Sequence, residues 1–398
     1  MKDDPAAAKT KTDLVFDVER LQTLVAEEDL ASNEGDQKGH EKVDVLSYVR
    51  SGIRALHGYT PGEQQPGFTK LNTNESALAP SPRVREVLAG IADESLRLYP
   101  DPVSKRLREV AAERFGVRPE QILAGNGSDD CLTILYRTFL DPGDRVAFAW
   151  PSYGLYDTLA GIQGAVVTRV PYQRQPNRWT LPEALATTGA RLTLVANPDN
   201  PSSTLAPVAT LRRLAERVDG ILVVDEAYVD FALGVEPDAT MLRHLDQHPN
   251  VVVLRTFSKS YSLAGARLGL MFASAPLIEQ MTKVKDSYNV NAISQALGVA
   301  ALQDRAHHAE LVRHTLVEKA RVERALAGHG WTWPPAFGNF VLCHVGDGAR
   351  AAKVRDGLRE HKILVRYWDT PELREFVRIT IGSPAQNDAL IAALHAIV

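Results

Sequence analysis

From about residue 83 onward, short apolar runs alternate with helix-like segments along the chain. Several runs, such as VVVL at 251–254, are continuous and do not alternate with polar residues. Continuous apolar strands are typical of parallel sheets, because helices cover both faces of such sheets. The pattern therefore predicts an α/β fold with a mostly parallel sheet. Strands are predicted at 121–125, 144–150, 165–171, 191–197, 220–227 and 250–257. Helices are predicted at 83–92, 102–115 and 129–140.

The pattern changes after Tyr288. The elements predicted there are a helical stretch at 290–328, a strand at 340–345, a helix at about 350–360, and strands over ILVRY and EFVRITIG. Within EFVRITIG, Phe376, Arg378 and Thr380 share one face of the strand, and apolar residues occupy the other face. This succession predicts a smaller α+β domain.

The first 42 residues differ from the rest of the chain. Apolar residues recur at helical spacing between Leu14 and Val25, which predicts one amphipathic helix, and the polar run at 31–42 predicts a linker. We interpret this extension as a docked or partly disordered tail, with a partner-binding helix as the alternative. The predicted organisation is an extension over 1–42, an arm over 43–82 that packs with the small domain, a large domain over 83–286 and a small domain over 287–398.

Composition is that of an ordinary globular enzyme, with 398 residues, 44% hydrophobic and 24% charged. The net charge of -4 and the lack of a Lys/Arg-rich run give no indication of nucleic-acid binding. No run reaches the ~18 apolar residues of a membrane helix, and the start lacks the apolar core of a signal peptide. Cys131 and Cys343 form no C-x-x-C pair, so we expect neither a disulfide framework nor a metal site. We predict a cytoplasmic location.

Polar residues follow the predicted strand ends, where open α/β sheets bind ligands. In AGNGSDD at 124–130, Gly125 and Gly127 precede a helix, as in turns that bind phosphate. Asp130 stands where the dinucleotide fingerprint has its third glycine, so a simple tight turn is the alternative. No G-x-x-x-x-G-K-[ST], H-E-x-x-H or G-x-S-x-G motif occurs in the chain.

Three further strand ends carry side chains that suit a flat, charged ligand. Asp225 ends an apolar strand, where it must be solvated or paired with a cation, such as a protonated ring nitrogen. Tyr153 could stack on a ring or belong to the core, and the prolines around Asn200 give that amide a definite direction. Glu226 and Asp230 are expected to be solvated or capping charges.

One ligand type requires this combination of groups. Pyridoxal phosphate is an aromatic aldehyde with a phosphate, a phenolic oxygen and a ring nitrogen. A lysine forms its Schiff base, and an acid keeps its nitrogen protonated so that the ring can accept electrons from the substrate. Lys259, in RTFSKSYSLAGARLGL, lies just after a buried strand and is the candidate lysine.

From about residue 44 to its end, the chain resembles the fold-type I pyridoxal-phosphate-dependent aminotransferases, specifically the histidinol-phosphate aminotransferase family. The motifs that carry this resemblance are LNTNES, RLYPDP, AGNGSDD, PSYGLY, NPDNP, DEAYVDF, RTFSKSYSLAGARLG, YNVNA, GNFVL, ILVRYWDTP and VRITIG. The resemblance implies a homodimer that uses pyridoxal phosphate to exchange an amino group between histidinol phosphate and 2-oxoglutarate in histidine biosynthesis.

The resemblance also implies roles for individual residues. Lys259 binds the cofactor and moves the proton between the substrate Cα and the cofactor C4′, while Asp225 pairs with the pyridine nitrogen. The remaining cofactor residues are Tyr228 and Asn200 at the phenolic oxygen, Tyr153 on the ring face, Ser128, Asp129, Ser258 and Arg267 at the phosphate, Thr256 nearby, and Tyr99 of the partner subunit, also at the phosphate. The substrate residues are Tyr59, Asn74, Glu75, Arg366 and Arg378.

Departures from the family pattern leave the substrate open. NESA replaces NENP at 74–77, NPSS replaces NPTG at 200–203, and Asp130 replaces a glutamate. Losing Pro and Gly predicts looser or reshaped loops near the substrate. The alternatives are an aminotransferase for another aromatic, phosphate-bearing or phosphonate-bearing amino acid, and an enzyme similar to threonine-phosphate decarboxylase. A non-catalytic protein of this fold is disfavoured by the presence of Lys259.

Overall fold

The computed structural model describes residues 44–397. The predicted helix between Leu14 and Val25 and the predicted linker at 31–42 lie outside these residues. The chain divides into a unit that ends at Arg50 and a unit that begins at Ser51. In the first unit, Val45–Tyr48 forms a 3-10 helix, which Asp44 caps by accepting a hydrogen bond from the backbone N–H of Leu46. The sheets, the α-helices and the cavity described below belong to the second unit.

The strands of the second unit follow one another over most of its length. They are β1 (Thr69–Leu71), β2 (Ile122–Gly125), β3 (Arg145–Trp150), β4 (Val166–Pro171), β5 (Gln173–Gln175), β6 (Arg178–Thr180), β7 (Leu192–Ala196), β8 (Ile221–Asp225), β9 (Val251–Thr256), β10 (Gly269–Phe272), β11 (Phe340–His344), β12 (Ile363–Val365) and β13 (Phe376–Thr380). The α-helices are α1 (Ser51–Arg54), α2 (Pro82–Ala89), α3 (Asp93–Arg97), α4 (Lys105–Phe115), α5 (Ser128–Phe139), α6 (Leu155–Gln163), α7 (Val208–Arg217), α8 (Val229–Leu233), α9 (Ala275–Thr282), α10 (Ala292–Gln303), α11 (Arg305–Gly328), α12 (Gly348–Glu360) and α13 (Pro384–Ile397). None of the helices within 44–397 is both long and apolar enough to cross a bilayer.

A seven-stranded sheet has the order β2-β10-β9-β8-β7-β3-β4. Its strands pair in parallel except β10, which is antiparallel to both β2 and β9. The predicted mostly parallel sheet is therefore confirmed. Strand β10 was missed, because a four-residue apolar run does not distinguish a strand from a segment of buried helix.

Helices cover both faces of this sheet, which explains its continuous apolar strands. In β9, Val251 and Val253 join the cluster that packs against α4, α7 and α10. Val252 and Leu254, on the opposite face, join the cluster that packs against α5, α6 and α9. All four side chains are fully buried, so a polar residue at any of these positions would have to enter an apolar core.

The residues after α9, together with β1, form two smaller sheets flanked by helices. Strand β11 pairs antiparallel with β13, and β1 pairs in parallel with β12. As the face pattern predicted, Val377 and Ile379 join an apolar core with residues of α11, α12 and α13, while Arg378 points away from it into a cavity. The predicted helical stretch at 290–328 is two helices, separated by Asp304, whose carboxylate caps α11 by accepting from the N–H of His307. The division into a large and a small domain stays a prediction.

Two helix boundaries differ from the prediction because of local caps. Helix α2 ends at Ala89 with Gly90 as its C-cap, three residues before the predicted end at 92. Helix α4 begins at Lys105 and not at 102. The Asp101 carboxylate accepts hydrogen bonds from the N–H groups of Val103 and Lys105, and this turn holds the chain out of helical geometry until Ser104.

Candidate active site

A cavity of about 810 Å³ lies at the carboxyl edge of the seven-stranded sheet, a size suited to a small-molecule ligand. Its walls come from the segments that follow β2, β3, β7, β8 and β9 and from the segment that precedes the antiparallel β10. Of the predicted site residues, the cavity is lined by Tyr59, Asn74, Glu75, Ser128, Asp129, Tyr153, Asn200, Asp225, Tyr228, Thr256, Ser258, Lys259, Arg267, Arg366 and Arg378.

Lys259 reaches into the cavity from the turn after β9. Its Nζ donates a hydrogen bond to the carbonyl of Thr73 at 3.1 Å and lies 5.5 Å from the centre of the Tyr228 ring. Burial, followed by the nearby guanidinium of Arg378, lowers the pKa of Lys259 to about 8. A substantial fraction of this amine is therefore neutral near physiological pH, as a nucleophile or a base requires.

Asp225 ends β8 and is only 6% exposed. It accepts hydrogen bonds from the hydroxyl of Tyr156 at 2.8 Å and from the N–H of Ala227 at 3.1 Å. Burial raises the pKa of Asp225 to about 6, although these hydrogen bonds oppose the shift. Among residues 44–397, neither a lysine nor an arginine forms an ion pair with Asp225. The carboxylate is thus available to a cationic group of a ligand.

Tyr156 was missed by the sequence analysis. It lies in α6, is fully buried, and also packs edge-to-face against Tyr153, with ring centres 5.7 Å apart. In sequence, a helical tyrosine that only packs in the core looks the same as one that orients a carboxylate. The hydroxyl became informative only when the fold brought it to Asp225.

One end of the cavity carries groups that suit a phosphate. Helix α5 begins there at Ser128, and Arg267 donates to the carboxylate of Asp129 at 3.0 Å. Gly127 has φ +93°, and a Cβ on it would lie 2.7 Å from a nitrogen of Arg267. Gly127 therefore allows the guanidinium to approach the helix start. A helix N-terminus beside a guanidinium is a strong anion-binding arrangement.

Thr256 and Ser258 complete this end of the cavity. The Thr256 hydroxyl lies 3.1 Å from the Ser258 hydroxyl and accepts a hydrogen bond from the N–H of Ser258 at 3.2 Å. Both side chains are buried and line the cavity. They add hydroxyl groups to the cationic and backbone donors around Ser128 and Arg267.

Two tyrosines form one wall of the cavity. The Tyr153 hydroxyl donates to the Asp129 carboxylate at 3.2 Å, which fixes the ring between that carboxylate and Tyr156. Tyr59 packs edge-to-face on Tyr153 with ring centres 5.5 Å apart. The wall is apolar and aromatic, as the binding of a flat ligand requires.

Two arginines also line the cavity. Arg378, 5% exposed, donates to the amide oxygen of Asn200 and, at 2.7 Å, to the carbonyl of Asn72. Its Nε has no hydrogen-bond partner among the described residues. Arg366 makes only long hydrogen bonds, to the carbonyls of Pro61 and Thr60 at 3.4 and 3.5 Å. Both guanidiniums therefore retain donors for an anion.

Trp368 was also missed by the sequence analysis. Its ring centre lies 5.2 Å from the guanidinium carbons of both Arg366 and Arg378, and it lines the cavity. The indole thus contacts both cations and helps to hold them on the same side of the cavity.

Asn74 occupies a left-handed backbone conformation with φ +57° and is 1% exposed. Its amide donates to the hydroxyl of Tyr228 at 3.1 Å and accepts from the hydroxyl of Thr380 at 2.9 Å. Its carbonyl accepts from the side chain of Asn339 at 3.1 Å. Asn74 therefore shapes the turn and also fixes the position of Tyr228.

Glu75 is held by two neighbours in the same segment. Lys70 and Thr73 donate to its carboxylate at 2.6 and 2.5 Å. Burial works against ionisation, but these hydrogen bonds prevail and lower the pKa of Glu75. The side chain lines the cavity as a carboxylate near Lys259.

Glu226 and Asp230 are paired with a buried arginine, so the prediction that they are solvated was wrong, whereas Glu226 does cap the 3-10 helix Met241–His244 by accepting from the N–H of Met241 at 2.7 Å. Arg255, buried in β9, donates to Glu226 at 2.9 Å and to Asp230 at 2.8 Å. The Thr240 hydroxyl donates to Glu226 at 2.8 Å, and the Ser260 hydroxyl donates to Asp230 at 2.5 Å. Arg255 was not predicted as their partner, because it lies on a different strand and approaches them only in the folded sheet.

Comparisons with known proteins agree with the geometry of the cavity. The family model for aminotransferases of class I and II matches residues 66–394. The chain belongs to this family. The histidinol-phosphate aminotransferase 1 of Trichormus variabilis is 38% identical over 354 residues, which are 88% of this chain and 99% of that relative. The histidinol-phosphate aminotransferase of Synechocystis sp. is 40% identical over 353 residues, which are 87% of this chain and 97% of that relative.

A solved structure resembles this aminotransferase over almost its whole length. The crystal structure of histidinol-phosphate aminotransferase from Sinorhizobium meliloti in complex with pyridoxal-5'-phosphate superposes with a TM-score of 0.80 at 28% identity. The match covers 91% of this chain and 99% of that one. The predicted family and fold are confirmed.

Tyr99 is the one predicted site residue of this aminotransferase that, among the residues described, lies outside the cavity. It is 80% exposed and stacks on Tyr288, with ring centres 4.4 Å apart and planes 12° apart. Within one chain Tyr99 does not line the cavity with Ser128 and Arg267, the candidate phosphate-binding residues. Its predicted role as a residue of the partner subunit stays a prediction.

The two turns that depart from the family pattern are tied by serine hydroxyls. In NESA, Ser76 accepts hydrogen bonds from the Ser262 hydroxyl at 2.7 Å and from the N–H of Leu78 at 3.3 Å. In NPSS, Ser202 donates to the Asp199 carboxylate at 2.6 Å, and Ser203 accepts from the N–H of Gly338 at 2.7 Å. Side-chain hydrogen bonds thus fix NESA, which lacks the family's Pro, and NPSS, which lacks the family's Gly.

Asp130 has a structural role in this aminotransferase. Its carboxylate accepts from the N–H of Asn126 at 2.8 Å and from the side chain of Asn289 at 2.9 Å. The second bond ties the glycine-rich turn to the YNVNA segment. Asp130 therefore supports the start of α5 from behind, whereas Ser128 and Asp129 face the cavity.

Proposed function

We propose that this protein is a pyridoxal-phosphate-dependent aminotransferase that converts histidinol phosphate and 2-oxoglutarate into imidazole acetol phosphate and L-glutamate. One observation carries the proposal: a single cavity contains a lysine whose pKa is lowered to about 8, a buried carboxylate without a basic partner among residues 44–397, and two guanidiniums. The relatives named histidinol-phosphate aminotransferases, at 38–40% identity, support the choice of substrate.

The chemistry of the cavity-lining residues fits the cofactor. Asp225 supplies a carboxylate for the protonated pyridine nitrogen, and Lys259 supplies a primary amine for the aldehyde. Tyr228 and Asn200 supply a hydroxyl and an amide for the phenolic oxygen, and Tyr153 supplies an aromatic face. The phosphate would be held by Ser128, Asp129, Ser258 and Arg267, with Thr256 nearby. Gly127 supports this assignment, because a Cβ at that position would fill the space beside Arg267.

Lys259 is proposed as the residue that moves the proton. When bound, pyridoxal phosphate supplies an electron sink for the electrons released at the substrate Cα. The neutral amine of Lys259 would take the proton from the substrate Cα and deliver it to the cofactor C4′. An amine with a pKa of about 8 can both accept and return a proton near neutral pH. The Asp225 carboxylate would stabilise the positive charge on the protonated pyridine nitrogen.

The two guanidiniums are proposed to bind the acid groups of both substrates. Arg378 would hold an acid group, with its orientation set by Asn200 and Asn72. Arg366 would hold the phosphate of the amino donor, since its own hydrogen bonds are long. The segment with Tyr59, Asn74 and Glu75 would close over the substrate and exclude water.

We further propose a cytoplasmic homodimer in which Tyr99 of the partner subunit contributes to the phosphate site. The exposure of Tyr99, at 80%, supports this proposal, because a large aromatic side chain is free to contact a second copy. The proposed domains are a large one at 83–286, which contains the seven-stranded sheet, and a small one at 287–398 with Arg366 and Arg378. The arm at 43–82 contributes β1, which pairs with β12 of the small domain.

An amino-donor screen tests the function. The purified protein is saturated with pyridoxal phosphate and given 2-oxoglutarate with histidinol phosphate, phenylalanine or threonine phosphate, and both glutamate and carbon dioxide are measured. Histidinol phosphate should give the highest kcat/KM and glutamate as product. Carbon dioxide from threonine phosphate, or a higher kcat/KM with phenylalanine, would contradict the proposed substrate.

A further inference from the structure

Ser203 is a serine in a backbone conformation that suits glycine. Its φ is +64°, and the residue is fully buried. A left-handed conformation is unfavourable for a residue with a Cβ and persists only where the surroundings enforce it. At this position the enforcing contacts are the N–H of Gly338, which donates to the Ser203 hydroxyl at 2.7 Å, and the N–H of Phe337, which donates to the Ser203 carbonyl at 2.9 Å. We refer to this pair of bonds as the Ser203 clip.

The clip joins two parts of the site that are far apart in sequence. Ser203 belongs to the loop after β7, which also carries Asn200, whereas Gly338 lies just before β11. Strand β11 pairs with β13, where Leu342 lies opposite Arg378. The loop after β7 therefore contacts the β11–β13 sheet twice, through the clip and through the hydrogen bond from Arg378 to Asn200.

The loop is anchored on its other side as well. The Asp199 carboxylate accepts from the hydroxyl of Ser202 at 2.6 Å, from the N–H of Ser202 at 3.1 Å and from the hydroxyl of Ser152 at 3.3 Å. Asp199 and Ser202 are almost fully buried. Because the loop is fixed to the segment after β3, the clip determines how the β11–β13 sheet sits against it.

The residue after Gly338 extends the connection to the cofactor side of the cavity. Asn339 donates to the carbonyl of Asn74, and Asn74 donates to the hydroxyl of Tyr228, both at 3.1 Å. A shift of the 337–339 segment would therefore move Asn74 as well as Arg378. Both residues line the cavity.

We propose that Ser203 is a positioning residue that sets the place of Arg378 through the clip and thereby controls the affinity for anionic substrates. This inference rests on the proposed role of Arg378 in binding an acid group. Removing the hydroxyl leaves the buried N–H of Gly338 without its acceptor, and the 337–339 segment then loses its bond to the loop that holds Asn200.

Two variants test the clip. Ser203→Ala removes the hydroxyl and keeps the backbone strain, whereas Ser203→Gly removes both. At saturating pyridoxal phosphate, each should raise KM for histidinol phosphate and for 2-oxoglutarate about tenfold while kcat stays within about twofold, as expected for loss of a buried hydrogen bond that acts on substrate binding. The dissociation constant of 2-oxoglutarate, titrated calorimetrically into the holoenzyme without amino donor, should rise by a similar factor.

Lys362→Gly is the matched control. Lys362 also has a left-handed φ, of +59°, but it is exposed and does not line the cavity. Its replacement relieves the same kind of strain and should leave both KM values unchanged. If Ser203→Gly keeps the wild-type KM and 2-oxoglutarate affinity, or only lowers the melting temperature, the inference is overturned. If the wild-type protein neither binds 2-oxoglutarate nor forms glutamate, the proposed function fails instead, before any variant is compared.

Discussion

The hydroxyl of Tyr156 donates a hydrogen bond to the carboxylate of Asp225 at 2.8 Å, and these residues lie 69 positions apart in sequence. The bond orients the carboxylate and opposes the rise in its pKa that burial causes. Because Asp225 ends β8 while Tyr156 lies in α6, the sheet and its covering helix must both be in place before the carboxylate points correctly. We therefore expect Tyr156 to contribute to cofactor binding through Asp225.

Tyr156→Phe should weaken pyridoxal-phosphate binding about tenfold or more, because a hydrogen bond to a charged group contributes roughly 1.5 kcal/mol or more. The dissociation constant is measured by absorbance titration of the apoenzyme. Tyr136→Phe is the control, since the Tyr136 hydroxyl donates to the carbonyl of Tyr156 and not to Asp225. Equal losses of affinity in the two variants would contradict a specific role for the Tyr156 hydroxyl.

Asp225→Asn should stabilise the apoenzyme at pH 7 while impairing cofactor binding. The folded-state pKa of about 6 lies above the ordinary 3.8, so the folded protein holds this proton more tightly than the unfolded chain does. Ionisation therefore costs stability increasingly as pH rises from 3.8 to 6, and the cost is complete above pH 6. Asparagine avoids this cost, which is about 3 kcal/mol at pH 7 and nearly absent below about pH 3.

Urea unfolding of apo wild type and Asp225→Asn at pH 4, 5, 6 and 7 measures this difference. The gap in the free energy of unfolding should open between pH 4 and pH 6 and then stay constant. A gap of the same size at all four pH values would show that the substitution acts through packing and not through ionisation.

Lys259→Ala should lower kcat by a factor of at least ~10³, because it removes both the covalent attachment and the proton-transferring amine. The variant should still bind pyridoxal phosphate noncovalently, since the residues assigned to the ring nitrogen and the phosphate remain. Borohydride treatment followed by intact-protein mass spectrometry should add the reduced cofactor to wild type and not to the variant. A cofactor adduct on another lysine in the wild type would show that the wrong lysine is assigned.

Arg255→Ala should destabilise the protein by about 3–5 kcal/mol, because it leaves the buried Glu226 and the partly buried Asp230 without their shared cation. Arg118→Ala is the comparison, since Arg118 pairs with Asp246 at the surface and its loss should leave the unfolding midpoint unchanged. Chemical denaturation of the holoenzymes measures both. An unchanged midpoint for Arg255→Ala would mean that the buried network contributes nothing to stability.

Local patterns were enough to find six of the seven strands of the large sheet, and the family motifs supplied most of the candidate site residues. Residues such as Lys259 and Asn200 follow continuous apolar strands, and parallel strands bring their carboxyl ends to one edge. Strand β10 was the exception in the sheet. It matters to the site because it is antiparallel and therefore begins at the carboxyl edge, where Arg267 lies just before it. The direction of a short strand depends on its neighbours, so sequence periodicity could not supply it.

Sequence by itself determined the fold class, the family and many of the residues that line the cavity, because these follow from periodicity, strand ends and an ordered set of motifs; Trp368 was found only in the structure. Tertiary structure alone decided which distant side chains meet. It paired Tyr156 with Asp225, gave Glu226 and Asp230 a shared arginine, and joined Ser203 to Gly338. Such contacts depend on the packing of elements separated by many residues, and each side chain taken alone is compatible with an ordinary core or surface position.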